Sequence, residues 1–143
     1  MEFSITQIRK ADNNLVAGIV RIFLGIVFLA TGFMKISDLT LWEAWSAQLS
    51  QAYIPFYELT RQVVPFVEML TGAMLLVGFF TRIWLLIVIA IMIAASYVHI
   101  VVDDPNLFPL QPHEPVVPLA ILALAGYVLI KGAGVWSLDS KAK

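Results

Sequence analysis

The feature that most constrains this chain is a set of four long apolar runs, which favour a membrane-embedded fold. They cover residues 15–34, 63–80, 83–102 and 115–130, each near the ~20 residues that a helix needs to cross ~30 Å of hydrocarbon. A soluble domain of 143 residues could not keep that much apolar surface inside. Barrel strands would alternate polar and apolar residues, which these runs do not. The sequence therefore predicts an all-α integral membrane four-helix bundle, with residues 1–143 as one domain.

Composition excludes several classes of function. The formal net charge is −1 and there is no basic block, which excludes nucleic acid as a partner because phosphate binding needs clustered Lys and Arg. The chain has no cysteine, which excludes disulfides, thiolate metal sites and thiol nucleophiles. The first run is too long for the apolar core of a signal peptide, so we expect it to remain in the mature protein.

The basic residues divide unevenly when the four spans are threaded alternately across a membrane. One face receives Arg9, Lys10, Arg82, Lys131, Lys141 and Lys143, and the other receives only Lys35 and Arg61. Loops rich in Lys and Arg stay in the cytoplasm. The sequence therefore predicts a multi-pass protein of the bacterial inner membrane with both termini cytoplasmic and the long first and third connections outside.

Both outer connections carry structural signals. Thr40 and Glu43 fit a capping box that starts a short helix. Trp42, Trp45 and Leu49 share one face of it, which predicts an interfacial helix between spans one and two at the outer headgroup layer. Five prolines between residues 103 and 118 predict a stiff, extended cover over the third connection.

The first span carries glycine at intervals of seven residues, at Gly18, Gly25 and Gly32. Small residues on a membrane helix let another backbone approach closely. We therefore expect this glycine stripe to have a structural role, packing against another span.

The charges inside the spans need partners, because a charge in hydrocarbon costs at least ~2.5 kcal/mol. Arg21 lies about 9 Å from the inner surface and Glu68 about 8 Å from the outer one, at a rise of about 1.5 Å per residue. A direct pair between them is thus not expected. The best-placed acid for Arg21 is Asp139, just past the fourth span, with Asp12 as second choice, and we predict that Arg21 and Asp139 form a structural tie.

A second cluster is predicted near the outer surface, where Lys35, Glu68 and His99 can converge. A carboxylate at this depth either pairs with Lys35 or takes up a proton, and either state suits proton relay or hydrogen bonding to a quinone. The alternative is structural: Lys35 extends towards water, Glu68 satisfies its charge, and His99 is an ordinary interface residue.

A metal site can also be considered, because nitrogen and oxygen ligands occur on the outer side at His99, Asp103, Asp104, His113 and Glu114. Their spacing matches no ligand motif, so no metal is predicted. Haem held by the two histidines is disfavoured because both lie at the same interface.

Three groups of residues together resemble the DoxX family of four-helix membrane proteins. They are Arg21, Leu24, Gly25, Phe28, Gly32 and Lys35; Pro65, Glu68, Gly72, Leu75, Leu76, Gly78, Thr81 and Arg82; and Gly132, Gly134, Trp136, Ser137, Leu138 and Asp139, while Met92 and His99 match the third span. The resemblance implies a small membrane subunit, since the family takes its name from one linked to thiosulfate:quinone oxidoreductase. Other members resemble partners of redox-defence enzymes.

Two functions follow from the residues and the resemblance together. The first is a membrane subunit of a redox system, with Lys35, Glu68 and His99 binding quinone at the outer leaflet. The alternative is a non-catalytic accessory or assembly subunit that docks a larger complex. A transporter is disfavoured because the spans carry few polar groups.

The chain shows no flavin, nicotinamide or haem motif, so no covalently bound cofactor is expected. The expected partners are the lipid bilayer and either other membrane subunits or further copies of this chain.

Overall fold

A computed structural model describes residues 13–102 and 115–141, and within these ranges the chain is helical without strands. The α-helices are α1 (Leu15–Ser37), α2 (Leu39–Gln51), α3 (Tyr57–Val77), α4 (Thr81–Val101) and α5 (Val116–Lys131), and a 3-10 turn follows at Asp139–Lys141. By length and composition α1, α3 and α4 can each cross a membrane, while α5 is a shorter apolar helix. The all-α prediction is confirmed. The predicted proline-rich cover lies mostly outside the described residues.

The start of α2 differs from the prediction. The side chain of Asp38 caps the helix, its Oδ1 accepting the backbone N–H of Thr40 at 2.9 Å and that of Leu41 at 3.3 Å. The predicted capping box at Thr40 is therefore wrong. A carboxylate in extended backbone just before the helix reaches the unpaired amides of the first turn, so the helix begins at Leu39, before Thr40.

The second span also has different bounds from the apolar run that predicted it. α3 begins at Tyr57 rather than at residue 63. The apolar run did not include the first turns because they carry the polar residues Glu58 and Arg61. It continues through the buried Pro65 and ends at Val77, where Gly78 adopts a φ of 66°. A left-handed glycine at this position ends a helix. Apolar composition located this helix, but capping and tertiary contacts determine its length.

Glycines bring α1 and α3 into backbone contact. A Cβ atom on Gly72 would lie 2.5 Å from the backbone nitrogen of Leu29, and one on Gly32 would lie 2.6 Å from the carbonyl oxygen of Pro65. Gly25 also faces α3, and a Cβ atom there would lie 3.0 Å from the Gly72 carbonyl oxygen. Only glycine permits such an approach.

Gly18 meets the segment after α5 instead of a span. A Cβ atom at Gly18 would lie 2.9 Å from Val135 Cγ2, and one at Gly134 would collide with the Gly18 nitrogen. The backbone N–H of Val135 donates to the Asn14 carbonyl at 3.2 Å. The C-terminal tail, residues 132–141, is thus packed against the start of α1.

Two apolar clusters complete the packing. The larger joins α1, α3, α4 and α5 through Leu24, Phe28, Leu75, Leu85, Val88, Ile121, Ala125 and Val128. The smaller joins Trp45, Leu49 and Ala52 of the α2 segment to Val98 and Val102 at the end of α4. Trp45 and Leu49, for which the sequence predicts a position facing headgroups, are therefore buried against the chain's own helices.

Candidate functional site

The centre of the candidate site is a buried ion pair between α1 and α3. The ammonium Nζ of Lys35, in the last turn of α1, lies 2.7 Å from Oε1 and 2.6 Å from Oε2 of Glu68. Lys35 is 7% exposed and Glu68 is 3% exposed. Two charges removed from water to this extent depend on each other, because either one alone would carry an uncompensated desolvation cost.

Two tryptophan rings of α2 pack this helix against the ion pair. Lys35 Nζ lies 5.0 Å from the ring centroid of Trp45, whose ring meets Trp42 edge to face at 6.0 Å. The guanidinium carbon of Arg61 in α3 lies 5.9 Å from the Trp42 centroid and 5.4 Å from that of Tyr57. Cation–aromatic contacts of this kind are stabilising, more so when desolvated. They tie α2 to α1 on one side and to α3 on the other.

A cavity of about 440 Å³ lies beside the ion pair, and all five helices contribute to its wall. Lys35, Glu68 and His99, the three residues predicted as a ligand site, all line it. Most of the remaining wall is apolar, including Val27, Phe28, Ile91, Met92, Val98 and Ile121. An apolar pocket of this volume with a few polar groups is typical of small-molecule sites.

Three polar residues of the wall, Thr31, Gln48 and Thr60, are not among the residues predicted from the sequence. Gln48 of α2 lines the cavity, one helical turn beyond Trp45. The i, i+3 spacing of these two residues places them on the same helix face. The spacing is visible in the sequence, but it could not indicate that this face turns inward.

The opposite end of the bundle holds Arg21, which is completely buried. Its guanidinium donates only to main-chain carbonyls within the described part of the chain: Nη1 to Leu75 and to Leu76 at 2.9 Å, Nε to Ala133 at 2.9 Å, and Nη2 to Val135 at 3.2 Å and Trp136 at 2.9 Å. The last carbonyls of a helix lack intrahelical donors and carry partial negative charge. The end of α3 and the C-terminal tail therefore satisfy the guanidinium.

Asp139 lies in the same region but makes different hydrogen bonds. Its Oδ1 accepts the backbone N–H of Phe80 at 3.0 Å, and Oδ2 accepts that of Thr81 at 2.8 Å. The carboxylate thus caps the start of α4, and its charge also interacts with Arg21. Sequence reasoning identified both residues, but the carbonyl partners of Arg21 have no side-chain signature that could reveal them.

The residues considered as metal ligands lie, apart from His99, outside the described part of the chain. Residues 13–102 and 115–141 contain no group of three or more His, Asp or Glu residues arranged to hold a metal ion.

Three helices able to cross a membrane, with an ion pair buried between two of them, define a small polytopic membrane protein. The DoxX family model matches residues 16–100, more than half of the chain, and the chain belongs to this family. DoxX proteins are small membrane proteins that are often linked to redox or quinone-related systems. No curated protein and no solved structure matches the chain. The matched segment contains Lys35, Glu68 and His99.

Proposed function

We propose that this protein is a membrane subunit of a redox system and binds a quinone in the cavity beside Lys35 and Glu68. The observation that carries the proposal is the cavity itself, which combines a largely apolar wall with a buried ion pair and His99. A quinone has matching chemistry, because its ring and tail are apolar and its two carbonyl oxygens accept hydrogen bonds.

The residues of the wall suit the two needs of quinone chemistry, which are positioning and proton exchange. Lys35 can donate a hydrogen bond to a carbonyl oxygen. Glu68 and His99 are the residues of the cavity wall best suited to exchange protons. The chain's own motifs supply no electron carrier, so electrons would come from or go to another subunit, and assembly with other membrane subunits or further copies of this chain is part of the proposal.

We further propose that the whole chain is one membrane domain in the bacterial inner membrane, with α1, α3, α4 and α5 as its four spans. The sixteen residues of α5 reach about 24 Å, and a bilayer adapts to a span of that length by thinning locally. Arg82 and Lys131 then face the cytoplasm with both termini, and Lys35 and Arg61 face outward. α2 lies at the outer interface, above the cavity.

The alternative, a non-catalytic accessory subunit, draws support from the ion pair. Lys35 and Glu68 already satisfy each other at 2.6 Å, as a purely structural pair would. The glycines of α1 are less available for docking than the alternative requires, since Gly25 and Gly32 pack against α3 and Gly18 packs against the tail.

Binding of a short-tailed benzoquinone to the full-length protein in lipid nanodiscs tests the proposal. We expect the wild-type protein to bind it and Glu68→Gln, which keeps the side-chain shape but removes the charge, to lose most of the affinity. Glu58→Gln is the matched control, because Glu58 is an exposed carboxylate on the same helix that pairs with Arg61 at 2.7 Å. Losses in Glu68→Gln and His99→Phe should be non-additive if both residues contact one ligand. Absence of wild-type binding, or full binding by the double variant, would favour the accessory subunit.

A further inference from the structure

We infer that Trp45 and Gln48 of α2 form hydrogen bonds with the polar head of the ligand, and that this head is uncharged and rich in hydrogen-bond acceptors. This inference rests on the proposed function and narrows its ligand class to the oxidised, carbonyl form of the quinone.

Most polar groups in the cavity wall are already engaged. Lys35 and Glu68 bind each other. The hydroxyl of Thr31 donates to the Phe28 carbonyl at 3.3 Å, and that of Thr60 donates to a carbonyl of the preceding turn at 3.3 Å. His99 also has an interaction partner. Each of these groups already has a partner within the protein, and the ammonium of Lys35, which has three N–H donors, can still offer one of them to a ligand.

Two groups on α2 differ from the others. Within residues 13–102 and 115–141, neither the indole N–H of Trp45 nor the side-chain amide of Gln48 has a hydrogen-bond partner, and both residues line the cavity. Trp45 is only 8% exposed, and its ring is held by Lys35 and Trp42. Neither polar group is fully sealed inside the protein, so a ligand in the cavity can reach both, and a hydrogen-bond partner supplied in this largely apolar space lowers the free energy. A bound head group would supply that partner.

The chemistry of these groups indicates what the head must offer. An indole N–H and an ammonium group can only donate hydrogen bonds, while an amide can donate or accept. Trp45, Gln48 and Lys35 therefore present mainly donors, which match the carbonyl oxygens of an oxidised quinone. A quinol would have to direct its hydroxyl protons away from these donors. The ion pair has no net charge and the wall is apolar, so a charged head would enter without compensation.

The decisive comparison is between Gln48→Met and Gln51→Met. Both make the same change on α2, but Gln51 is exposed and outside the cavity wall. We expect Gln48→Met to weaken binding of a short-tailed benzoquinone in nanodiscs about tenfold, and Gln51→Met to bind like the wild type. Trp45→Phe keeps a ring beside Lys35 while removing the N–H, and should weaken binding similarly. For the corresponding quinol, measured anaerobically, both losses should be smaller.

The outcomes separate this inference from the function on which it rests. If Gln48→Met and Trp45→Phe both bind the benzoquinone like the wild type while Glu68→Gln does not, the role of α2 is wrong and the quinone site stands. Equal losses for quinone and quinol would overturn the assignment of an acceptor-rich head. A wild-type protein that binds neither form would overturn both proposals. Thermal melts without ligand identify folding defects, and a loss in only one well-folded variant would still support the contact made by that residue.

Discussion

The backbone contact between α1 and α3 at Gly72 yields a prediction with a built-in control. Gly72→Ala and Gly126→Ala each add one methyl group to a helix. The methyl at Gly72 would lie 2.5 Å from the Leu29 nitrogen and 2.7 Å from the Gly25 carbonyl oxygen, whereas the one at Gly126 would have no neighbour within 4 Å. The two variants therefore separate packing from intrinsic helix propensity.

The magnitude follows from these distances. Ordinary contact begins near 3.4 Å, so α1 and α3 would have to separate locally by almost 1 Å, and both obstacles are backbone atoms that no rotamer change can move. Overpacking of this kind costs about 1–3 kcal/mol. Because the atoms in the way belong to the backbone, we expect a cost near the upper end of that range. Alanine regains about 1 kcal/mol over glycine within a helix. We expect Gly72→Ala to lose about 2 kcal/mol and Gly126→Ala to be neutral or to gain up to about 1 kcal/mol.

The assay is reversible unfolding of each purified variant in mixed micelles with increasing denaturing detergent, followed by helical circular dichroism. Comparing the variants under one condition removes the uncertainty of the absolute free energy. If Gly72→Ala unfolds at the same detergent fraction as Gly126→Ala, the backbone contact between α1 and α3 does not exist as described, and the reasoning from glycine spacing to packing fails.

Three further predictions concern the charges and the orientation. Lys35→Met should destabilise the protein by about 3–5 kcal/mol by leaving Glu68 unpaired, and combining it with Glu68→Gln should recover most of the loss; a double variant no more stable than Lys35→Met would refute the pairing argument. Asp139→Ala should cost about 1–2 kcal/mol of unfolding free energy because two amides at the start of α4 lose their acceptor, and Asp139→Asn should cost less because one oxygen remains; equal melting temperatures in all three proteins would contradict the cap. A cysteine at Gln51, introduced into a chain with none, should react with a membrane-impermeant reagent from outside intact cells, and labelling only after lysis would reverse the proposed orientation.

The sequence alone was enough to predict the helical class, the family and the convergence of Lys35, Glu68 and His99. Long apolar runs have few solutions in a bilayer, and a charge placed in them must find a partner. Lys35, Glu68 and His99 all fall near the same end of the spans, so their shared location could be predicted from chain position alone. They line one cavity in the structure.

Other features were decided only by tertiary structure. Arg21 donates its hydrogen bonds to carbonyls of α3 and the C-terminal tail, and every residue has a carbonyl, so no sequence pattern marks the ones that will be available. The cap at Asp38 depended on backbone conformation rather than on the Thr40 motif.

The inward turn of α2 was decided in the same way. The apolar face of α2 is equally compatible with a helix that lies on the lipid surface. Only contacts with Val98 and Val102, which are distant in the chain, turn Trp45 towards the cavity. Side-chain periodicity records which face of a helix is apolar. What that face contacts is set by the packing of segments far apart in sequence, and here that packing placed Trp45 and Gln48 in the wall of the cavity that Lys35 and Glu68 also line.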